Sequence, residues 1–475
     1  MMDKQAIISG LQNLLGADRV QDDPEIIRKA SVDYIGFRQY ERFDGKDWVP
    51  KAACMVKPRS TEEVSKALTF LNQNCIDTVP RTGGSSVTQS IEPEEGGVIL
   101  DGSEMNEIIA LNEQDMMITA RCGTPLEYLE NYLNERGYTS GHFPQSLPLA
   151  HLGGLIATRS IGQLSTLYGG VEDILAGLEA VLADGEIIRI KNSPRRSVGP
   201  DLRHLFIGSE GMLGFITEAT IKIFRHRPES RWMRAWAIKG MSAGLDLIRE
   251  VMVEGYRPAV VRLHDAEEVQ RMFSGLAPDD YCVLLFLAEG PASITAAIGQ
   301  GIAEIAGRRE TADLGTRPVE SWFKTRNDVC YHMDEPVYYK YGVVADTCEI
   351  SAPWSGIGGI YEAVRERLPK EMPNLVSIGG HSSHSYIQGT NIYFTFGFIV
   401  KNGVESARAD YMKVITVIME ETLKRGGSIA HHHGSGKYRT RWMPEEHGSS
   451  YPLLRKLKDA LDPNRILNKG VLLTD

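Results

Sequence analysis

Apolar and polar positions along the chain alternate in a pattern that predicts strands joined by amphipathic helices. From Met55, "MVKPRSTEEVSKALTFLNQNCIDTVPRTGGSS" predicts a strand, a helix capped by Ser60 or Thr61, a second strand and a glycine turn. The following stretch predicts two more strands and then a helix that begins near Pro125, where a missing N–H is well tolerated. This order of elements indicates an α+β or α/β domain.

The pattern changes twice farther along the chain. Residues 141–223 are rich in glycine and contain an Asp184-Gly185 hairpin signal. From about Pro228, longer amphipathic helices alternate with apolar strands, which places a domain boundary near Arg225–Ser230. A last helix is predicted to stop at the Asp462-Pro463 dipeptide.

Composition narrows the class of protein. A chain of 475 residues predicts two or three domains with ample core. The net charge of −10, without a Lys/Arg-rich block, argues against nucleic acid as the main partner. No apolar run is long enough to span a membrane, and the first residues lack a signal-peptide pattern. The six cysteines form no CxxC pair, so we expect reduced, buried thiols in a cytoplasmic protein.

Three glycine-rich stretches carry the first functional signal. They are "PRTGGSSVTQS" (80–90), "GHFPQSLPLAHLGGLIATRSIGQLSTLYGGVED" (141–173) and "GPDLRHLFIGSEGMLGFITEATIKI" (199–223). Glycine lets backbone approach a phosphate closely, and neighbouring hydroxyl and N–H groups can donate to it. None of the three fits the ATPase loop or the Rossmann turn. Together they predict a large ligand laid along the backbone, such as a dinucleotide.

These stretches, in this order, resemble the FAD-binding domain of the vanillyl-alcohol-oxidase/PCMH flavoprotein family. The sequence is similar to the alkyldihydroxyacetonephosphate-synthase-like branch of that family and to uncharacterised enteric-bacterial FAD-linked oxidoreductases. The motifs "SAPW", "GGSIAHHHGSGK" and "DPNRILNKG" add to this similarity. The resemblance implies an α+β fold with a two-subdomain PCMH-type FAD-binding domain and an α/β cap domain with an antiparallel sheet. The implied division is a helical lead-in (1–50), the FAD-binding domain (51–227), the cap or substrate domain (228–430) and a C-terminal segment that returns to the FAD domain (431–475).

The resemblance also implies which residues line the flavin. They are Arg81, Thr82, Gly83, Gly84, Ser85, Ser86, Val87, Gln145, Ser146, His151, Gly153, Gly154, Thr158, Arg159, Ser160, Gly162, Glu210, Gly211, Leu213, Gly214 and Ile216. Many family members attach FAD covalently through a histidine just after the first glycine pair. This chain has Ser85 there, so the prediction is noncovalent FAD.

Histidines form the second functional signal. In an extended segment, His431 and His433 would face one way and His432 the other. The stretch "GGHSSHSYIQGTNIYFTF" adds His381, His384, Tyr386 and Tyr393, so a proton-transfer or ligand cluster is predicted. By resemblance to the synthase, Tyr393 is the acid/base, and His431, His432 and His433 orient it and the substrate.

A metal site is the alternative for the same residues. Related D-2-hydroxyacid dehydrogenases carry a metal here, and His381, His384 and His432 would be its ligands in this chain. Tyr393 and His432 replace a histidine and a glutamate of that site, so the prediction is no metal.

Arg439, Lys437 and His384 are predicted to bind the substrate, with solvated charges as the alternative for Arg439 and Lys437. The arginine with which the synthase holds a phosphate corresponds to a position near Glu335, and Arg326 lies nine residues earlier. An acidic group repels phosphate, which weakens the case for the synthase reaction.

The resulting prediction is an FAD-dependent dehydrogenase. It oxidises a C–OH group of a small polar substrate, such as a 2-hydroxy acid or a sugar derivative, by hydride transfer to flavin N5. Electrons leave to an electron-transfer protein or a quinone, and the protein is a cytoplasmic homodimer. The alternatives are an alkylglycerone-phosphate-synthase-like alkyl transferase without net redox change, and a non-enzymatic flavin carrier.

Overall fold

The computed structural model describes residues 2–44, 51–333, 335 and 337–474. Parts of the predicted lead-in (residue 1 and residues 45–50) and the last residue of the C-terminal segment lie outside the described residues. The predicted division into domains stays a prediction.

The first sheet has four strands in the order β1-β2-β4-β3, and β4 runs parallel to both β2 and β3. Its strands and the helices around them are β1 (Val20–Gln21), β2 (Cys54–Val56), β3 (Thr78–Arg81), β4 (Val98–Asp101), α1 (Lys4–Leu15), α2 (Pro24–Ala30), α3 (Gly36–Phe43) and α4 (Thr61–Gln73). Ser60 Oγ accepts from the Glu63 N–H at 3.2 Å, so the predicted helix cap is confirmed.

The second sheet has five antiparallel strands in the order β5-β6-β10-β8-β9. The elements of this region are β5 (Ile108–Asn112), β6 (Met117–Arg121), β7 (Tyr138–Thr139), β8 (Leu175–Val181), β9 (Ile187–Ile190), β10 (Phe215–Lys222), β11 (Phe224–Arg225), α5 (Leu126–Asn134), α6 (Leu152–Ala157), α7 (Ser165–Tyr168) and α8 (Val171–Ile174). Gly185 has φ 93° in the turn between β8 and β9, which confirms the predicted hairpin.

The third sheet has seven antiparallel strands in the order β15-β12-β14-β13-β17-β18-β16. Its strands are β12 (Trp232–Ile238), β13 (Val260–His264), β14 (Cys282–Ala288), β15 (Thr311–Gly315), β16 (Val343–Pro353), β17 (Leu375–Ser382) and β18 (Gly389–Ile399). The remaining helices are α9 (Met241–Val253), α10 (Ala266–Met272), α11 (Ala292–Gly307), α12 (Arg317–Thr325), α13 (Trp354–Glu371), α14 (Val404–Lys424), α15 (Gly436–Arg439), α16 (Met443–His447) and α17 (Tyr451–Leu461). α17 ends where the Asp-Pro signal predicted.

Helices α13 and α14 pack against β16 and β18. Because side chains alternate along a strand, Ile350 and Phe394 belong to the buried apolar core on the helix side, and their neighbours Glu349 and Tyr393 face the other way. One face of this sheet therefore supplies stability and the opposite face is free for polar chemistry.

The C-terminal tail contacts the first sheet. The Thr78 N–H donates to the Ile466 carbonyl at 2.7 Å, and the Asn468 N–H donates to the Thr78 carbonyl at 2.9 Å. Lys458, on α17, donates to the Met212 carbonyl at 2.8 Å. These bonds tie residues from the end of the chain to the glycine-rich half.

The predictions about the cysteines and about membrane-spanning segments can be compared with the structure. All six cysteines are free, and five are buried, but Cys75 is exposed because it ends the turn after α4 with φ 50°. The prediction of uniformly buried thiols is wrong for that residue. Among the described residues, no helix is both long enough and apolar enough to cross a membrane.

Candidate active site

A cavity of about 1000 Å³ extends between the glycine-rich loops and the polar face of the seven-stranded sheet. One wall is the loop after β3, the segments around α6 and the turn before β10. The opposite wall is formed by residues of β16 and β18, including Thr347, Tyr393 and Thr395. A volume of this size exceeds what a small substrate alone requires.

The register of the seven-stranded sheet aligns four polar residues in a row across adjacent strands. His264 of β13 lies opposite His381 of β17, His381 lies opposite Tyr393 of β18, and Tyr393 lies opposite Glu349 of β16. Directly opposed residues in antiparallel strands have their Cβ atoms about 5 Å apart. The four side chains are thereby held side by side on rigid elements.

Tyr393 is the centre of this row. Its hydroxyl lies 2.6 Å from His433 Nε2, and its ring stacks on the His381 ring with centroids 4.9 Å apart. His433 Nδ1 lies 3.3 Å from Glu349 Oε2, although the angle does not make a hydrogen bond. Burial raises the pKa of Tyr393 and lowers the pKa of His433, so a neutral phenol faces a neutral imidazole.

Glu349 fixes the backbone of the histidine segment, residues 431–433. Its carboxylate accepts the backbone N–H groups of His432 at 3.1 Å and of His433 at 2.7 Å, and it pairs with Arg439. Despite the effect of burial, the Arg439 guanidinium holds the pKa of Glu349 well below its ordinary range. An ionised carboxylate therefore lies beside His433.

Arg439 and Lys437, which the sequence suggested as substrate ligands, do not line the cavity. Arg439 is completely buried, and its guanidinium also donates to the Ile429 carbonyl at 2.9 Å. Lys437 Nζ pairs with Glu94 at 2.5 Å. Both cations already have partners, so the structure does not bring them to the substrate. His384 does line the cavity, with Nδ1 at 2.8 Å from Ser165 Oγ.

The three consecutive histidines do not alternate as an extended strand would. His432 and His433 line the cavity, whereas His431 does not. His431 Nε2 instead bonds the Tyr386 hydroxyl at 2.8 Å, and its Nδ1 lies 2.8 Å from His432 Nδ1. The reason is backbone shape: residues 431–433 form a bend, followed by Gly434 with φ 84°.

Sequence reasoning missed Arg262, His264 and Glu268. Arg262 is 6% exposed and lines the cavity, and its guanidinium lies over the Trp322 ring at 4.9 Å. Among the described residues, no carboxylate lies within ion-pair distance of it. Burial lowers its pKa to about 10, so it remains charged at neutral pH. The sequence signal for two of them was "VVRLHD" (260–265). There the polar residues Arg262 and His264 occupy alternate positions of an apolar strand and therefore share one face.

Residues 52–191 match the FAD binding domain family, and residues 227–472 match the family of FAD linked oxidases, C-terminal domain. The chain is 46% identical to the uncharacterized FAD-linked oxidoreductase YgcU of Escherichia coli O157:H7, over 99% of both chains. It is 30% identical to the alkyldihydroxyacetonephosphate synthase of Caenorhabditis elegans, over 88% of this chain and 75% of that protein. Glycolate oxidase subunit GlcD of Bacillus subtilis is 25% identical, over 88% of each.

The chain belongs to the FAD-linked oxidase family. The resemblance inferred from the three glycine stretches is confirmed. Two solved structures share its fold: an alkyldihydroxyacetonephosphate synthase, with a TM-score of 0.81, 22% identity and coverage of 97% of this chain and 85% of that chain, and p-cresol methylhydroxylase, with a TM-score of 0.77, 14% identity and coverage of 99% and 97%. The predicted α+β, PCMH-type fold is confirmed as well.

The loops of this FAD-linked oxidase fit a dinucleotide. A Cβ on Gly83 would lie 2.4 Å from the Leu149 carbonyl oxygen, so only glycine lets the first two loops close on each other. Three residues that line the cavity each have a buried polar atom without a hydrogen-bond partner among the described residues: Arg81 Nε, His151 Nδ1 and Asn468 Oδ1. Buried polar atoms normally have partners, so this group of atoms is typical of a site that holds a polar ligand.

Most of the residues expected to line the flavin are on the cavity wall, and their assignment to FAD stays a prediction. The three that are not on the wall are Arg159, Gly162 and Leu213. Arg159 pairs with Glu172 at 3.0 Å, Gly162 packs against the backbone at Phe143, and Leu213 is in the apolar core.

The structure does not bring together the three histidines that the sequence suggested as metal ligands. Two groups among the described residues have donor atoms within 4.8 Å of one another: His384, His431 and His432, and separately His264, Glu268 and His381. His381 therefore belongs to a different group from His384 and His432, so the set suggested by the sequence is split.

The positions of Glu335 and Arg326 show whether either residue can take the place of the synthase's phosphate-binding arginine. Glu335 lines the cavity and bonds His332 Nδ1 at 2.8 Å. Arg326 lies with its guanidinium 3.9 Å from the Phe323 ring centroid and is not on the cavity wall. It does not supply the missing cation.

Proposed function

We propose that this protein is an FAD-dependent dehydrogenase that oxidises a C–OH group of a small polar substrate. The observation that carries the proposal is the Tyr393–His433 pair at 2.6 Å, with the Glu349 carboxylate beside it, on the cavity wall opposite the glycine loops. Such a pair accepts a hydroxyl proton, which is the step that the protein must supply in alcohol oxidation.

The roles of the residues follow from their charges. When bound, FAD supplies the acceptor for the hydride that leaves the substrate carbon. Tyr393 Oη takes the substrate hydroxyl proton while its own proton moves to His433 Nε2. His433 is neutral beforehand because burial lowers its pKa, and the Glu349 carboxylate stabilises the imidazolium that forms. His432 and His384 orient the substrate from the adjoining wall.

Arg262 supports an anionic substrate, such as a 2-hydroxy acid. Its guanidinium is buried, charged and without a carboxylate partner among the described residues, and it lines the same cavity as Tyr393. A guanidinium binds a carboxylate through two parallel hydrogen bonds. The similarity to a glycolate oxidase subunit agrees with this substrate class.

A second candidate is an alkyl transferase without net redox change. The observation in its favour is an apolar part of the cavity wall, formed by Val337, Val343 and Val376, which would accommodate an alkyl chain. Glu335 on the same wall disfavours a phosphate there. We therefore place the transferase second.

The remaining parts of the proposal concern the cofactor bond, the acceptor and the assembly. Ser85 in place of the family's histidine supports noncovalent FAD, and acid precipitation should leave the yellow colour in the supernatant. Electron transfer to a protein or quinone acceptor, a homodimer and a cytoplasmic location are proposed from the family resemblance.

An anaerobic flavin-reduction screen tests the function. Wild type is mixed with alcohols, 2-hydroxy acids and sugar acids, and bleaching of the flavin absorbance is followed by stopped flow. Tyr393→Phe should retain FAD and lose roughly 10²- to 10⁴-fold in the reduction rate. The proposal fails if no alcohol or hydroxy acid reduces the flavin while acyl-dihydroxyacetone phosphate forms an adduct with it.

A further inference from the structure

Glu268 receives hydrogen bonds from three side chains behind the cavity wall. His264 Nδ1 lies 2.7 Å from Glu268 Oε2, His381 Nδ1 lies 2.9 Å from both carboxylate oxygens, and the Thr395 hydroxyl donates to Oε1 at 3.0 Å. Glu268 itself is 1% exposed and does not line the cavity. It therefore acts on the site through its neighbours.

The partners fix the tautomer of each imidazole. Arg262 Nε donates to His264 Nε2 at 3.2 Å, so His264 carries its proton on Nδ1 and donates it to Glu268. Burial lowers the pKa of His381, which is therefore neutral, and its Nδ1–H points at the same carboxylate. The remaining nitrogen, His381 Nε2, is then an acceptor, and it has no protein partner among the described residues.

His381 Nε2 opens onto the cavity next to the reacting pair. His381 lines the cavity, and its ring is stacked on the Tyr393 ring at 4.9 Å with an angle of 9° between planes. The two residues are directly opposed on adjacent strands, so their side chains start about 5 Å apart and line the same part of the cavity. Hydroxyl groups on adjacent carbons of one molecule bridge a comparable span.

We infer that His381 Nε2 accepts a hydrogen bond from a second substrate hydroxyl adjacent to the carbon that is oxidised. Glu268 is the positioning residue: because it accepts the Nδ1–H, the lone pair of the neutral imidazole lies on Nε2. The substrate is then a vicinal diol with an anionic end, that is, a polyhydroxy acid. This inference rests on the proposed oxidation of a C–OH group and specifies its substrate class.

Lactate and glycerate test the second hydroxyl, because they differ only by that group. Both enantiomers of each are used for anaerobic flavin reduction, and the ratio of reduction rate over half-saturating concentration is compared. Wild type should favour one glycerate enantiomer over the matching lactate by about 3- to 10-fold, the range of one neutral hydrogen bond. His381→Phe, which retains a ring stacked on Tyr393, should bring that ratio close to one.

Two further variants separate positioning from general damage. His381→Gln places an amide oxygen within reach of the Nε2 position and should restore part of the preference. Glu268→Gln removes the carboxylate that accepts both Nδ1–H groups, so the ratio of glycerate to lactate should fall while the protein still binds FAD.

The outcomes distinguish the two proposals. Equal reduction by lactate and glycerate in wild type, or an unchanged ratio in both His381→Phe and Glu268→Gln, overturns the subsite and leaves alcohol oxidation standing. Failure of every hydroxy acid and alcohol overturns both. A stoichiometric metal lost in Glu268→Gln also overturns the subsite, since an ion would occupy the Nδ1 atoms.

Discussion

Replacing Arg439 with methionine removes the cation that neutralises Glu349 at the base of the histidine segment. Both side chains are fully buried, and the guanidinium contacts both carboxylate oxygens of Glu349. Breaking a buried ion pair by removing one partner costs about 3 to 5 kcal/mol, because the other charge remains without compensation. Methionine is uncharged and has a similar volume, so the uncompensated Glu349 carboxylate is the main cost. We expect the free energy of unfolding to fall by this amount at neutral pH.

Urea unfolding of the FAD-loaded protein, followed by far-UV circular dichroism, measures the effect. The matched control is the double variant Arg439→Met/Glu349→Gln. The amide oxygen of the introduced glutamine still accepts from the N–H groups of His432 and His433, but the side chain carries no charge. The double variant should therefore recover a large part of the lost stability. In the single variant, the destabilisation should also shrink toward acid pH, where the isolated carboxylate becomes protonated.

A substrate-binding role for Arg439 predicts a different result. If Arg439 contacts substrate, as its sequence context suggested, then Arg439→Met should leave the free energy of unfolding within about 1 kcal/mol of wild type and raise KM strongly. That outcome would refute the structural role. Arg439→Lys adds a further check, because lysine keeps the charge but not the planar fork and should be intermediate in stability.

Three further predictions concern the loops, pH and metal. Gly83→Val should reduce the FAD bound per chain, because even a Cβ there would lie 2.4 Å from the Leu149 carbonyl, whereas Gly307→Ala, with open space at its Cβ, should not. Burial raises the pKa of Glu210 to about 7, so the folded state holds its proton more tightly, and the stabilisation from that proton should be lost from the urea-unfolding free energy as pH rises from 4.5 to 7. Glu210→Gln should flatten that urea-unfolding profile by about 3 kcal/mol, and an unchanged slope would contradict the assignment. Dialysis against a chelator should leave FAD content and flavin reduction unchanged, and elemental analysis should find no stoichiometric metal. The reason is that one ring nitrogen each of His381, His384 and His431 is already hydrogen-bonded, to Glu268, Ser165 and Tyr386 respectively.

Local signals in the sequence were sufficient to predict many of the helices and strands and the glycine-rich loops that line the cavity. The Ser60 cap and the Asp184-Gly185 turn are where their chemistry requires them, and α17 ends at the Asp462-Pro463 dipeptide. These features depend on residues only a few positions apart. The glycine loops could be recognised for the same reason, since each one is a short stretch with its own backbone requirement.

The site residues depended on pairings that are distant in sequence. Arg439 is followed by Thr440 and Arg441 in a stretch that reads as solvated surface, and only its contact with Glu349, ninety positions away, makes it a core residue. His431 and His433 do not share a face because residues 431–433 themselves form a bend. Neither contact partner nor bend can be deduced from alternation alone.

The row formed by His264, His381, Tyr393 and Glu349 shows why register decides the chemistry. Side chains on a strand alternate between faces, so a shift of β18 by one residue would turn Phe394 toward the cavity and Tyr393 toward α13. The apolar residues Ile392, Phe394 and Phe398, packed in the core, oppose that shift, since each would lose its buried contacts. Hydrophobic burial on the helix side of the sheet therefore places the Tyr393 hydroxyl against His433, and the stability of the core and the geometry of proton transfer rest on the same alternation.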